Sequence, residues 1–299
     1  TAVELPETMP AENLTYYAIF TVNNYTVNFN NNIALDDTPF KSDETEVYST
    51  ADYDFGETIV MPADPTNIEA AYYTFMGWTD VEGGTEVKYT AESVVTMPAG
   101  GLELYAVYER VSVKLVPVAG STTVIERNGV TESYNDDSVT DEPYEAPANF
   151  NQYYIYGFSN KRALPTEANL TSRYITYTGD GRIEITRREG MEDAPKLGTG
   201  TLVTLYDNVT GEVVEQFYLI YFGDVDGDCY VTTNDYDNVN NEVSVGRTWS
   251  SLRGSNRVLY MIKAANLDGQ SNIYTADLDI IKDAVDVTVT IDQKTGTAS

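Results

Sequence analysis

The chain has no histidine in 299 residues, so it lacks the commonest general base and the commonest transition-metal ligand. Cys229 is the only cysteine, which excludes an intramolecular disulfide. That fits a reducing compartment, or a bacterial exported protein that never relied on disulfides. Basic residues are scarce: 18 Lys and Arg stand against 47 Asp and Glu, a net charge of −29 at pH 7. Such a chain repels nucleic acid and anionic membrane surfaces, so both drop out as partners, and it attracts divalent cations. No apolar run approaches the roughly 18 residues a membrane span needs. No signal peptide is visible, and Thr1 reads as a start inside a longer protein. A nucleophile–base pair or metal-catalytic constellation is also missing, so no enzyme activity is expected. Cys229 has no histidine to activate it and reads as an inert loop filler. Acids such as Glu132, Asp136 and Asp137 read as solvated surface rather than a glycosidase pair.

Hydrophobic residues make up 42% of the chain, enough for two or three globular domains. Its 24 tyrosines, with frequent Thr and Asn, suit secreted bacterial β-modules. An internal repeat orders the first third. TMPAENLTYYAIF at 8–20 returns as TMPAGGLELYAVY at 96–108, an offset of 88 from Met9 to Met97 (97 − 9). Residues 1–21 therefore read as the tail of one unit and 22–110 as a whole one. Within it, Tyr25–Phe29 alternates like a half-buried strand, Tyr73–Trp78 is an aromatic strand, Val81–Gly84 a turn and Leu102–Tyr108 a closing strand. Trp78 and Tyr73 read as core packing before a sugar-stacking platform.

Pro65-Thr66, Phe75–Trp78, Gly83-Gly84, Met97–Ala99 and Leu104–Ala106 together resemble the internalin B-repeat family, also called the Listeria–Bacteroides repeat. The resemblance implies a β-grasp-like module of bacterial surface proteins, used as a spacer or adhesion unit. One departure is Asn30–Asn32, which stands where that family has a glycine-rich turn.

Residues 111–222 read as a second, β-rich and sandwich-like module. Val111–Val116, Ser121–Glu126 and Tyr153–Gly157 are strand candidates. Gly198–Tyr206 and Val213–Phe222 form a hairpin about Asp207-Asn208, and 133–151 is a long acidic loop. Helical periodicity is confined to the C-terminal end of the chain, at Thr233–Val243, Arg257–Ala265 and Thr275–Val285. The expected fold is thus multidomain and mainly β, with a small α-helical end at 223–299.

That end carries oxygen ligands at calcium spacing. Asp224, Asp226, Asp228 and Asp235 fall at positions 1, 3, 5 and 12 of a twelve-residue loop, and Tyr230 offers a backbone carbonyl at position 7. Val231 would pin the loop into a core. A second loop follows at an offset of 42 (266 − 224), with Asn266, Asp268, Gln270 and Asp277 at the same positions, Asn272 at position 7 and Ile273 matching Val231. Position 6 normally needs glycine because φ is positive there. Cys229 and Ser271 occupy it, at about 1–2 kcal/mol each. Loop 1 has four carboxylates and loop 2 has two, so two calcium ions are expected, the first tighter and the second weaker or absent. Calcium would neutralise repelling carboxylates and convert binding energy into folding energy. A chelator should therefore loosen the C-terminal end and spare the β-modules.

Two loops, each followed by a helix and lacking an incoming one, with Asp at position 12, resemble the dockerin family. The opening FGDVDGD at 222–228 is close to that family's start, and a β-module directly before it resembles the X-module–dockerin pairs of cellulosome-type assemblies. The resemblance implies a cohesin partner on a bacterial surface or outside the cell. It implies cohesin-facing residues at Thr233, Asn234, Asn240, Asn241 and Val245 in the first copy, and at Thr275, Ala276, Lys282, Asp283 and Val287 in the second. Asn-Asn against Lys-Asp makes the copies unequal, which argues for a single binding orientation. A different class of function is also open: a carbohydrate-binding or adhesive protein, with polysaccharide as partner and the helical end as a clamp.

Overall fold

The structure, a computed structural model, describes residues 8, 11, 13, 15–34, 47–63, 72–127, 130–133, 153–158, 164–245, 256–269 and 273–298. The chain divides into two compact units, Thr1–Arg110 and Val111–Ser299. It is mainly β, in several sheets. Among the described residues no helix is long and apolar enough to cross a membrane.

The first unit holds β1 (Asn24–Asn30), β2 (Val47–Asp54), β3 (Thr58–Val60), β4 (Tyr73–Thr79), β5 (Val94–Thr96) and β6 (Leu102–Arg110). Four of them form a sheet in the order β2-β1-β6-β4, and β3 pairs with β5. β6 is central, parallel to β1 and antiparallel to β4. Its inward residues Leu104 and Ala106 join Val27, Phe29, Met97 and Trp78 in the core. Trp78 is fully buried. Its ring meets Phe29 at 5.0 Å and Phe75 at 5.4 Å, and its indole N–H donates to Pro62 O at 3.0 Å. It is a core residue and offers no platform to a sugar. Asn32 explains how the departing turn is tolerated. It sits at φ 56°, a left-handed position open to asparagine. Its amide donates to Ala106 O at 2.9 Å and accepts from Gly83 N at 2.8 Å, tying the Gly83 turn to β6. Pro65 and Thr66 lie outside the described residues.

The second unit holds β7 (Lys114–Pro117), β8 (Val124–Arg127), β9 (Val130–Ser133), β10 (Tyr153–Tyr156), α1 (Glu167–Arg173), β11 (Ile175–Thr178), β12 (Gly181–Thr186), β13 (Leu202–Asp207), β14 (Val213–Leu219), α2 (Thr233–Val245), α3 (Asn256–Ala265) and α4 (Thr275–Val285). A six-stranded sheet runs β12-β13-β14-β10-β8-β9, and β7 pairs with β11. The expected hairpin is present as β13 and β14, but β13 begins at Leu202, and Gly198–Thr201 lies before it. Helical structure is also not confined to the C-terminal end, because α1 lies among the strands. In α1 the only buried residue is Leu170, too little for a periodic signal, and the Thr166 amide caps the start by donating to Asn169 Oδ1 at 2.8 Å.

The central strand β10 shows how the sheet is used. Tyr153 and Ile155 face a core with Ile125, Leu170, Ile175, Phe217 and Leu219. Tyr154 and Tyr156 face the other way, into a core with Ile220, Val239, Tyr260, Met261, Leu278 and Ile281. Period-2 alternation with both faces apolar is what a doubly covered strand requires. The second face is covered by α2, α3 and α4, so residues 111–222 and 223–299 share one core inside one compact unit. Across the sheet, Glu126 accepts from Tyr156 OH at 2.8 Å and pairs with Lys263 of α3 at 2.8 Å. On the first face the Arg127–Glu215 pair is almost wholly buried and is completed by the Leu115 backbone, with Leu115 N donating to Glu215 Oε2 at 2.8 Å and Arg127 Nη2 to Leu115 O at 2.7 Å. Such a pair is tolerated because backbone groups satisfy its remaining hydrogen-bonding capacity.

Candidate metal centre

Loop 1 winds its own amides onto two carboxylates. Asp224 accepts from Gly227 N at 2.6 Å through Oδ1, and from Cys229 N at 3.2 Å through Oδ2. Asp235, on the first turn of α2, accepts from Val225 N at 2.7 Å and Asp226 N at 3.1 Å through Oδ1, and from Thr232 N at 2.8 Å through Oδ2. The turn expected at position 6 is real: Cys229 has φ 74°. Its thiol is buried and pushed up to about 12, first by burial and then by the Asp224 charge, so the group stays protonated and unreactive.

Asp224, Asp226 and Asp235 bring carboxylate oxygens within 4.8 Å of one another. Asp224 and Asp235 have no solvent exposure. Burial raises the Asp224 carboxyl to about 8, with the charges of Asp235 and Asp226 adding to it against the Thr199 and Gly227 amides. Burial likewise raises Asp235 to about 6, and Asp228 also lies above its ordinary value, again chiefly through burial. Hard oxygen donors crowded away from water, with uncompensated charge, fit a hard divalent cation. The donor set contains no nitrogen or sulfur that would favour a softer metal.

Loop 2 repeats this wiring at the same offset, but the expected lack of an incoming helix holds only for loop 1, because α3 ends at Ala265 directly before Asn266. Leu267 N and Asp268 N donate to Asp277 Oδ1 at 2.8 and 3.1 Å, Tyr274 N to Asp277 Oδ2 at 2.9 Å, and Gly269 N to Asn266 Oδ1 at 3.1 Å. Each bond is the counterpart of one in loop 1. Even the first helical bonds correspond, Tyr236 N to Thr232 O and Leu278 N to Tyr274 O. Asp277 is fully buried like Asp235, and Val231 and Ile273 both pack on the shared core.

The remaining expected ligands are placed less centrally. Asp228 stands outside the close trio and accepts from Tyr230 N at 2.8 Å. Tyr230 has an exposed side chain. Asn266 and Asp268 are half-buried. Gln270 and Asn272 lie outside the described residues. Of the expected partner-facing residues, Thr233, Asn234, Asn241, Thr275, Ala276, Lys282, Asp283 and Val287 are exposed and Asn240 half-buried. Val245 ends α2, and its side chain lies outside the described residues. Val287 is 87% exposed at φ 59° and follows the last turn of α4. Thr288 N donates to Asp283 O at 2.8 Å and Val287 N to Ala284 O at 3.1 Å, closing the helix end with a non-glycine residue in left-handed geometry.

Two anchors escape a reading by loop spacing. Gln293 makes a reciprocal pair with Phe222, accepting from its amide at 2.6 Å and donating to its carbonyl at 2.8 Å, which fixes the entry to loop 1 from near the C-terminus. Thr199, well before the loop in sequence, donates its amide to Asp224 Oδ2 at 3.1 Å. The available signal was the pair Gly198 and Gly200, a poor fit to a strand interior.

Two comparisons found similarities. A family model described as the divergent InlB B-repeat domain matches residues 46–112, so that stretch is similar to a B-repeat domain. Internalin H of Listeria monocytogenes is 33% identical over 103 residues, 34% of this chain. The chain spans only 15% of that protein's length. No solved structure matches the chain.

Proposed function

We propose that this chain is a non-catalytic assembly segment of a bacterial surface or secreted protein. In this reading a B-repeat spacer leads to a calcium-folded, dockerin-like module that binds a cohesin. The observation that carries it is the repetition, at a fixed offset, of four backbone-to-side-chain hydrogen bonds, onto Asp224 and Asp235 in loop 1 and onto Asn266 and Asp277 in loop 2. A chance acidic turn has no reason to recur with the same wiring and the same following helix. Calcium would bind through Asp224, Asp226, Asp228 and Asp235 in loop 1, and through Asn266, Asp268 and Asp277 in loop 2. The exposed residues beginning α2 and α4 would then face the partner, with the six-stranded sheet stiffening the helices from behind. Similarity to a B-repeat domain supports the surface or secreted setting.

A pull-down of the full chain against a panel of cohesins, with calcium and with chelator, tests the reading. Capture by at least one cohesin that is lost on chelation is expected. Calcium binding without capture by any cohesin would remove the dockerin assignment and leave the loops as structural clamps.

A carbohydrate-binding or adhesive role is the second reading. A cleft of about 330 Å³ lined by Tyr154, Tyr156, Phe222, Lys263, Asn266 and Thr297 favours it. Against it, both tyrosines are over 90% buried and Lys263 lies over both rings, at 5.6 and 5.4 Å. Retention of the chain on insoluble polysaccharide would restore this reading.

A further inference from the structure

The first proposed calcium loop is gripped by the connection between β12 and β13, which lies outside its own twelve residues. Thr199 donates its amide to Asp224 Oδ2 at 3.1 Å. The Thr199 hydroxyl exchanges hydrogen bonds with the Tyr221 backbone, accepting from N at 2.9 Å and donating to O at 3.2 Å. Arg188 follows β12, and its Nη1 donates to Val225 O inside the loop at 2.7 Å and to Thr199 O at 3.4 Å. The guanidinium of Arg188, a residue only 8% exposed, lies over the buried Tyr260 ring of α3 at 5.3 Å. Arg188 therefore joins sheet, loop and helix at one point.

Approach at this seam is as close as the backbone permits. A Cβ on Gly198 would stand 2.2 Å from Gly227 O and 3.0 Å from Asp224 Oδ2, and one on Gly227 would stand 2.7 Å from Thr199 O. Only glycine allows two backbones to meet so nearly. The equivalent of Gly227 in the second loop, Gly269, is exposed and has open space where a Cβ would be. The two loops thus share internal wiring but differ in external support.

Resting on the calcium reading above, we propose that Arg188 and the Gly198–Gly200 segment form the outer half of the first calcium site. They hold Asp224 in position before the ion arrives, and so make loop 1 the tighter site by preorganisation as well as by its carboxylate count. Arg188 and Thr199 are positioning residues rather than ligands. Groups of this kind characteristically change metal affinity by about 10–100-fold when removed. The ion in turn should stiffen the sheet edge that grips it.

Calorimetric calcium titration of the full chain, for the natural sequence, Arg188→Gln and Gly198→Ala, provides the test. The tighter of two binding steps should weaken by about tenfold or more in both variants, with the weaker step unchanged. Unchanged affinity in both variants, or equal weakening of both steps, would overturn the proposal. Should either variant fail to fold, hydrogen exchange of the natural chain decides instead. Calcium should slow exchange of the Thr199 amide and of β13, outside the loop as well as within it. Protection confined to 224–245 would overturn the proposal too. A natural chain that binds no calcium would strike at the calcium reading itself, which separates the two failures.

Discussion

Gly227 and Gly269 occupy the same place in two copies of one loop, at φ 88° and 74°, yet one is packed beneath the β12–β13 connection and the other opens to solvent. The same contrast runs through their neighbours. Asp224 opens loop 1 with no exposure and an amide from Thr199, whereas Asn266 opens loop 2 half-buried and uncharged. What the copies share is local, a side chain gathering amides from its own loop. What separates them is tertiary, the presence of another module behind the turn. Duplicated loops can therefore diverge in strength without losing their common geometry.

The largest expected effect comes from deleting the position-12 carboxylates. Asp235→Ala and Asp277→Ala each leave three amides without their acceptor, at about 3–5 kcal/mol. In calcium, urea unfolding should show the greater loss for Asp235→Ala if loop 1 holds the stronger ion, as proposed. An equal loss would break the contrast. Next in size is calcium removal, which costs about 2.7 kcal/mol if the free ion stands at a hundred times its Kd. Because the helices and the six-stranded sheet share a core, calorimetry should show both shifting together on chelation. The first unit's transition should stay in place. The expectation that β-modules are spared thus applies only to residues 1–110.

Acidity sharpens the contrast further. The folded-state values of Asp224 and Asp235, about 8 and about 6, lie above the ordinary carboxylate value of 3.8, so the calcium-free folded chain binds more protons than the unfolded one. The contribution of these groups is fully present below about pH 4 and is lost as pH rises through 6 and then 8, an effect of about 2 kcal/mol or more. If calcium binds as proposed it needs both groups ionised, so its affinity should rise across the same window and binding should release protons. Comparing chelated Asp224→Asn with the natural chain by urea unfolding at pH 5 and pH 8 checks the sign: the variant should flatten the decline. The smallest effect is at the end of the second copy. Val287→Gly relieves a left-handed backbone while removing a side chain that is 87% exposed, and should stabilise the fold by about 1 kcal/mol. If Val287 faces the partner, that same variant binds cohesin more weakly despite its higher melting temperature.

Much of this was legible in the residues. The repeat at 96–108 marked the closing strand of the first unit, where Tyr108 is 7% exposed in β6. Ligand spacing located both loops and the helices after them, since position in a twelve-residue turn is a local property. By contrast α1, a short helix with one buried side chain, carries too little pattern to be seen.

By itself, the order of residues determined three strands of the first unit (β1, β4 and β6, but not β2, β3 or β5), the two loops, the left-handed turn at Cys229 and the absence of any histidine-based chemistry. Each depends on spacing over a short stretch of chain. Only the tertiary structure decided that one face of the six-stranded sheet shares a core with α2, α3 and α4, that Gln293 clasps Phe222, and that Thr199 and Arg188 reach loop 1. Those contacts join segments far apart in the sequence, and their geometry follows from sheet order and packing, which no local pattern encodes.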